Sequence, residues 1–92
     1  MSVDLAAAKA YLRITHNDDD AQITLLMNSA LASLERYAGD NFDPYDEEVD
    51  AAHLLYLDYL YYPRSDVKVD EVTGWPMAVA AIMQPFRTPT VK

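Results

Sequence analysis

The chain has 92 residues, 51% of them hydrophobic, and carries 15 acidic against 7 basic side chains for a net charge of −8. A length of this order is one domain's worth, and such a domain buries only about 60–65% of its unfolded surface, so partner subunits would stabilise it further. The apolar content favours folding over disorder. The lack of cysteine excludes disulfides, thiolate metal sites and a thiol nucleophile, and the acidic balance disfavours ordinary nucleic-acid binding because phosphate is repelled.

The first predicted helix runs from Val3 to about Arg13, with Ser2 as its N-cap and Asp4 near the positive end of its dipole. Leu5, Ala8, Tyr11 and Leu12 recur at three- and four-residue spacing and form one apolar face. The turn formers His16-Asn17-Asp18-Asp19-Asp20 interrupt it, because their side chains compete for backbone hydrogen bonds. A second helix is predicted from about Asp18 to Ala38. At about 100° per residue, Ile23, Leu26, Met27, Ala30, Leu31, Leu34, Tyr37 and Ala38 share one arc, while Leu25 and Ala32 lie on the polar side. Gly39 suits the position just past the helix end.

A loop over Asp40–Pro44 leads to a third helix, starting at Tyr45 or Asp46 with Glu47 and Glu48 favourably placed for its dipole, and ending near Tyr62, where Pro63 stops it. Leu54, Leu55, Tyr56, Leu57, Tyr59, Leu60, Tyr61 and Tyr62 point in nearly every direction. A helix apolar nearly all round is covered on several sides, which is more than a lone domain of this size readily supplies. Tyr56 and Tyr59 are therefore expected in the core, and Tyr61 and Tyr62 at a subunit interface, where tyrosine is enriched because it joins an apolar body to a polar tip. Residues 63–75 read as a linker in which Val67, Val69 and Val72 form a short strand or pin a loop. Pro76 opens a short fourth helix through Met83, Pro85 closes it, and residues 86–92 read as an extended tail. The fold class expected is all-α: three main helices plus a short C-terminal helix, in a single domain over residues 1–92.

Chemistry has little foothold in this pattern. His16, Asp18 and Asp20 resemble a metal cluster, but helix capping explains them with less machinery. The acidic stretch Asp40–Glu48 lacks the spacing and central glycine of a calcium loop. His53 stands three residues after Asp50 on one helix face and is more often structural than an acid–base pair. Two glycines cannot build a glycine-rich phosphate loop, and no serine sits in a nucleophile-elbow context. No enzyme activity, cofactor or metal is expected. No apolar run approaches a membrane span, and the start Met-Ser-Val-Asp-Leu lacks a basic region followed by an apolar stretch, so no secretory signal is expected and the product should stay in the cytoplasm where it is made.

Three stretches, in order, resemble the small head-tail connector (adaptor) proteins of long-tailed bacteriophages and prophages. Leu5–Ile14, Leu-Ala-Ala-Ala-Lys-Ala-Tyr-Leu-Arg-Ile, leads into an acidic turn. The second predicted helix ends Glu35-Arg36-Tyr37-Ala38-Gly39. Gly74-Trp75-Pro76 through Pro85-Phe86-Arg87 resembles the family's closing helix. Trp75-Pro76 stands where leucine-proline is commoner, and Phe86 stands for tyrosine. The resemblance implies a structural virion subunit at the head–tail interface. Such a subunit forms a homo-oligomeric ring, dodecameric when assembled, on the portal protein, continues the DNA channel without binding DNA specifically, and offers a surface to a tail-side stopper or tail completion protein. On that reading Leu25, Leu57, Tyr61 and Tyr62 are oligomer-interface residues, and Trp75, Phe86 and Arg87 dock a partner. The competing reading is an acidic regulatory or inhibitory protein that mimics DNA, motivated by the net charge, with Asp40, Asp43, Asp46 and Glu47 as its acidic face.

Overall fold

A computed structural model describes residues 3–43, 45–62 and 66–86. Four α-helices follow one another: α1 Leu5–Leu12, α2 Asp20–Ala38, α3 Glu47–Tyr61 and α4 Met77–Met83, with single 3-10 turns over Gly39–Asn41 and Gln84–Phe86. The expected all-α bundle is what forms, and no strand occurs among the described residues.

Local chemistry sets the helix ends. Asp4, not Ser2, caps α1: its backbone is extended and its Oδ1 accepts the Ala7 N–H at 2.8 Å. Ser2 lies outside the described residues. Asp4 satisfies a first-turn donor and adds a negative charge at the dipole's positive end. The other end of α1 closes with Arg13 in the left-handed region (φ 62°, ψ 42°). Its N–H donates to Ala10 O at 3.2 Å and the Ile14 N–H reaches back to Lys9 O at 2.9 Å, the bond pair of a Schellman motif. Ile14 then folds onto the apolar cluster under α1. For α3, Asp46 is the N-cap and accepts the Glu48 N–H at 2.8 Å, with Glu47, Glu48 and Asp50 in the first turn.

Two apolar clusters share α3. In one, Leu34 and Ala38 of α2 meet Val49 and Ala52 of α3, Val79 and Met83 of α4, and Trp75. In the other, Ala8 and Leu12 of α1 meet Ile23 and Met27 of α2 and Leu57 of α3. The buried residues of α2 (Ile23, Met27, Ala30, Leu34 and Ala38) are the stripe that its periodicity predicts. The helices α2 and α3 run antiparallel, since Met27 meets His53 while Asp19 meets Tyr61.

Residues 66–75 are less of a linker than the sequence suggests. Val69 bridges antiparallel to Pro76, the Asp70 N–H donates to Trp75 O at 2.7 Å and the Met77 N–H to Lys68 O at 3.0 Å, so the segment turns back on itself. Asp70 accepts both the backbone N–H and the hydroxyl of Thr73 at 2.9 and 2.8 Å. Gly74 follows with φ +77°, a conformation that costs a glycine little. Pro63, the expected stop for α3, lies outside the described residues; the helix itself ends at Tyr61. Phe86 belongs to the closing 3-10 turn rather than to an extended tail, and residues 87–92 lie outside the described residues.

Two stability outcomes follow. Leu57 is completely buried, so Leu57→Ala is expected to cost about 2–5 kcal/mol, read as a shift in the urea midpoint at unchanged slope. Arg13→Gly relieves a left-handed conformation and is expected to stabilise by up to about 1 kcal/mol; a loss of stability would show that the Arg13 side chain contributes more than its backbone costs.

Candidate assembly interface

The sequence-predicted interface residues divide sharply by exposure. Leu25 projects from α2 with 66% of its surface exposed. Leu57 is fully buried and is corrected to a core residue: it faces α1 and α2 and offers no surface to a neighbour. Tyr61 packs on the cluster formed with α1 and donates its hydroxyl to Asp19 Oδ2 at 2.5 Å. That bond pushes its phenol up to about 12, with burial and the nearby Asp19 charge adding to it. Tyr62 is exposed, yet it donates to Leu12 O at 3.1 Å, supplying a donor to one of the last carbonyls of α1. The two rings meet edge to face with centroids 4.8 Å apart. Both tyrosines thus tie the end of α3 to α1 and to the start of α2.

The expected core tyrosines also divide. Tyr56 packs with the Trp75 cluster, its ring centroid 5.9 Å from that of Trp75. Tyr59 stays half-exposed and lines a surface hollow with Leu55, Asp58, Val67, Pro76 and Ala78. Beyond Leu57, the apolar residues of α3 from Leu54 to Tyr61 are half-buried. The helix is neither enclosed nor laid bare.

Trp75, expected to dock a partner, is 4% exposed. It sits in the core between Tyr37, at 4.8 Å, and Tyr56, because the returning backbone of residues 68–77 turns it inward. Phe86 is half-buried against the same cluster, and its carbonyl accepts from the Asn41 side chain at 3.2 Å. Arg87 lies outside the described residues. An open groove of about 680 Å³ runs between α2 and α4, with Arg36, Tyr37, Trp75, Met77 and Gln84 among its lining and the strongly exposed Val72 at its edge.

The polar residues weighed as chemistry have structural partners instead. His53 is buried, and its Nε2 lies 2.8 Å from Met27 O. A carbonyl can only accept, so Nε2 carries the proton. Burial lowers the pKa of the ring, opposed by the Met27 hydrogen bond and the Asp50 charge, which makes His53 a neutral pin between α2 and α3. The acids at the start of α2 do not cap it through their side chains, as the sequence suggests they would. Asp19 occupies the N-cap position without a side-chain cap bond and accepts from Tyr61, while Asp20 pairs with Lys9 at 2.8 Å. Lys9 also donates to Asn17 at 2.6 Å. Tertiary partners on α1 and α3 take these carboxylates from the helix end. Asp70 is held below the usual carboxylate range by the two Thr73 hydrogen bonds. No group of three or more metal-ligating side chains gathers among the described residues, and no described helix is long and apolar enough to cross a membrane.

The polar groups of this helical bundle thus hold its own helices in register, and apolar residues along its central helix stay part-covered. The chain belongs to the phage gp6-like head-tail connector protein family, whose model matches residues 2–86. It is a structural phage connector, a class of protein that is not enzymatic. No curated protein and no solved structure matches it.

Because the folded-state pKa of His53 is lowered, protons bind the unfolded chain more readily below the unperturbed value of about 6.5. Its contribution to stability is therefore complete above that value and declines as the pH falls toward the lowered one. Urea midpoints measured at pH 7.5 and 5.5 should drop in the native chain, and the drop should shrink in His53→Gln. An equal drop in both would assign it to other groups.

Proposed function

We propose that the chain is a virion subunit that assembles as a homo-oligomeric ring, dodecameric in the particle, between the portal and the tail, and continues the channel through which DNA passes. The observation that carries the reading is the family match across residues 2–86. Physical features support it. Apolar side chains along α3 remain half-covered in one copy, and a ring buries a heterologous contact on both sides of every subunit. A net charge of −8 suits a conduit for DNA, since like charge keeps the polymer sliding rather than bound. The partners are a portal protein on one side and a tail-side stopper or completion protein on the other. The DNA-mimic reading is weaker, because within its acidic face Asp43 accepts the Tyr45 N–H and Asp46 caps α3, so local hydrogen bonds already engage both carboxylates.

Sedimentation and electron microscopy of the chain mixed with its portal protein should give ring-bearing complexes. Subunits of like charge repel, so salt should tighten their association by screening. Monomers that neither self-associate at high concentration nor bind the portal would overturn the reading.

A further inference from the structure

Leu25 and the hollow beside Tyr59 lie on opposite sides of the α2–α3 layer. At about 100° per residue, Leu25 points roughly opposite to the stripe Ile23–Met27–Leu34 by which α2 faces the core. Leu55 and Tyr59 point away from Leu57 on α3 in the same sense. The Met27–His53 and Asp19–Tyr61 contacts fix the antiparallel register, and counting inward from them sets residue 25 level with residue 55. One layer therefore presents an apolar knob on one side and a recess on the other, at the same height.

The recess holds about 160 Å³ and is lined by Leu55, Asp58, Tyr59, Val67, Pro76 and Ala78, close to the roughly 150 Å³ of an apolar cavity that accepts a benzene-sized group. A leucine side chain fits that space. Charge supports the same pairing. In a chain that is 24% charged, Ala21 to Leu34 holds no charged side chain, and Ala21, Gln22, Thr24, Asn28 and Ser29 around Leu25 are exposed. Two copies of net charge −8 repel wherever acidic faces meet; this neutral face can approach without that cost.

We propose that Leu25 of one copy seats in the hollow between α3 and the start of α4 of a second copy. Subunits then join head to tail, α2 of one against α3 and α4 of the next. The proposal rests on the assembly reading above and adds its contact. A knob and a recess on opposite sides make a heterologous interface, which closes into a ring when the rotation between copies permits.

The chain lacks cysteine, so a short thiol-reactive linker reads the contact directly. Leu25→Cys and Ala78→Cys chains, mixed under assembly conditions with portal protein, should link 25 to 78. The double variant should give a ladder of linked oligomers, which a link within one copy cannot produce. Dominant 25–25 products from Leu25→Cys alone would mean a two-fold contact and would overturn the proposal. Rings that form without any 25–78 product would overturn it while leaving the ring reading intact; absence of assembly would remove both. Independently, Leu25→Asp should raise the concentration for half-assembly at least about ten-fold, with an unchanged circular dichroism spectrum because Leu25 is exposed. Tyr45→Ser, at a site 71% exposed, should leave it unchanged. Equal behaviour of the two variants would also defeat the proposal.

Discussion

The antiparallel seam between α2 and α3 fixes where everything else lies. It is held at successive heights by chemically different contacts. Tyr61 reaches Asp19 at one end, His53 reaches the Met27 carbonyl in the middle, and Leu34 and Ala38 close on Val49 and Ala52 at the other. The polar contacts are directional and the apolar ones are not. A slide of one helix turn would take the His53 donor away from the Met27 carbonyl, and a donor left unpaired inside the protein costs about 1–3 kcal/mol. Buried polarity here sets register rather than chemistry.

With the seam set, the short elements fall into place from its two ends. Helix α1 covers the Ile23–Leu57 end and α4 the Leu34–Val49 end. Neither is long enough to be a stable helix alone. Each depends on side chains from α3 or from the turn before it: the Tyr62 hydroxyl on the last turn of α1, and Trp75 beneath α4. Covering both ends leaves the outer side of α3 only half-shielded. On the assembly proposed above, that remaining surface and the neutral outer face of α2 are what a neighbouring copy would meet.

Much of this architecture was legible in the sequence because it follows from local rules. The buried stripe of α2, the end of that helix at Gly39, the start of α3 at Asp46 and the short helix after Pro76 rest on periodicity and on turn and capping preferences within a few residues. The ordered motifs from Leu5 to Phe86 carried the family resemblance in the same way, as linear pattern. The sequence also marked Leu25 as an apolar residue on a polar face.

Tertiary structure decided which of several equivalent side chains does what. A wheel of leucines and tyrosines on α3 does not say that Leu57 and not Tyr59 faces inward, because that depends on where α1 and α4 lie. Trp75 reads as an exposed docking residue until the backbone of 68–77 pairs with itself and turns it into the core. Asp20 reads as a capping residue until Lys9 arrives from α1, and Asp19 as a turn former until Tyr61 arrives from α3. The sequence by itself determined the helices, the direction of their dipoles and the acidic balance of the molecule, since these depend on composition and on neighbours in the chain. The assignment of core against surface, and the level placement of Leu25 opposite the Tyr59 hollow, came only from the packed helices, because those relations join residues about 30 or more positions apart that meet only after folding.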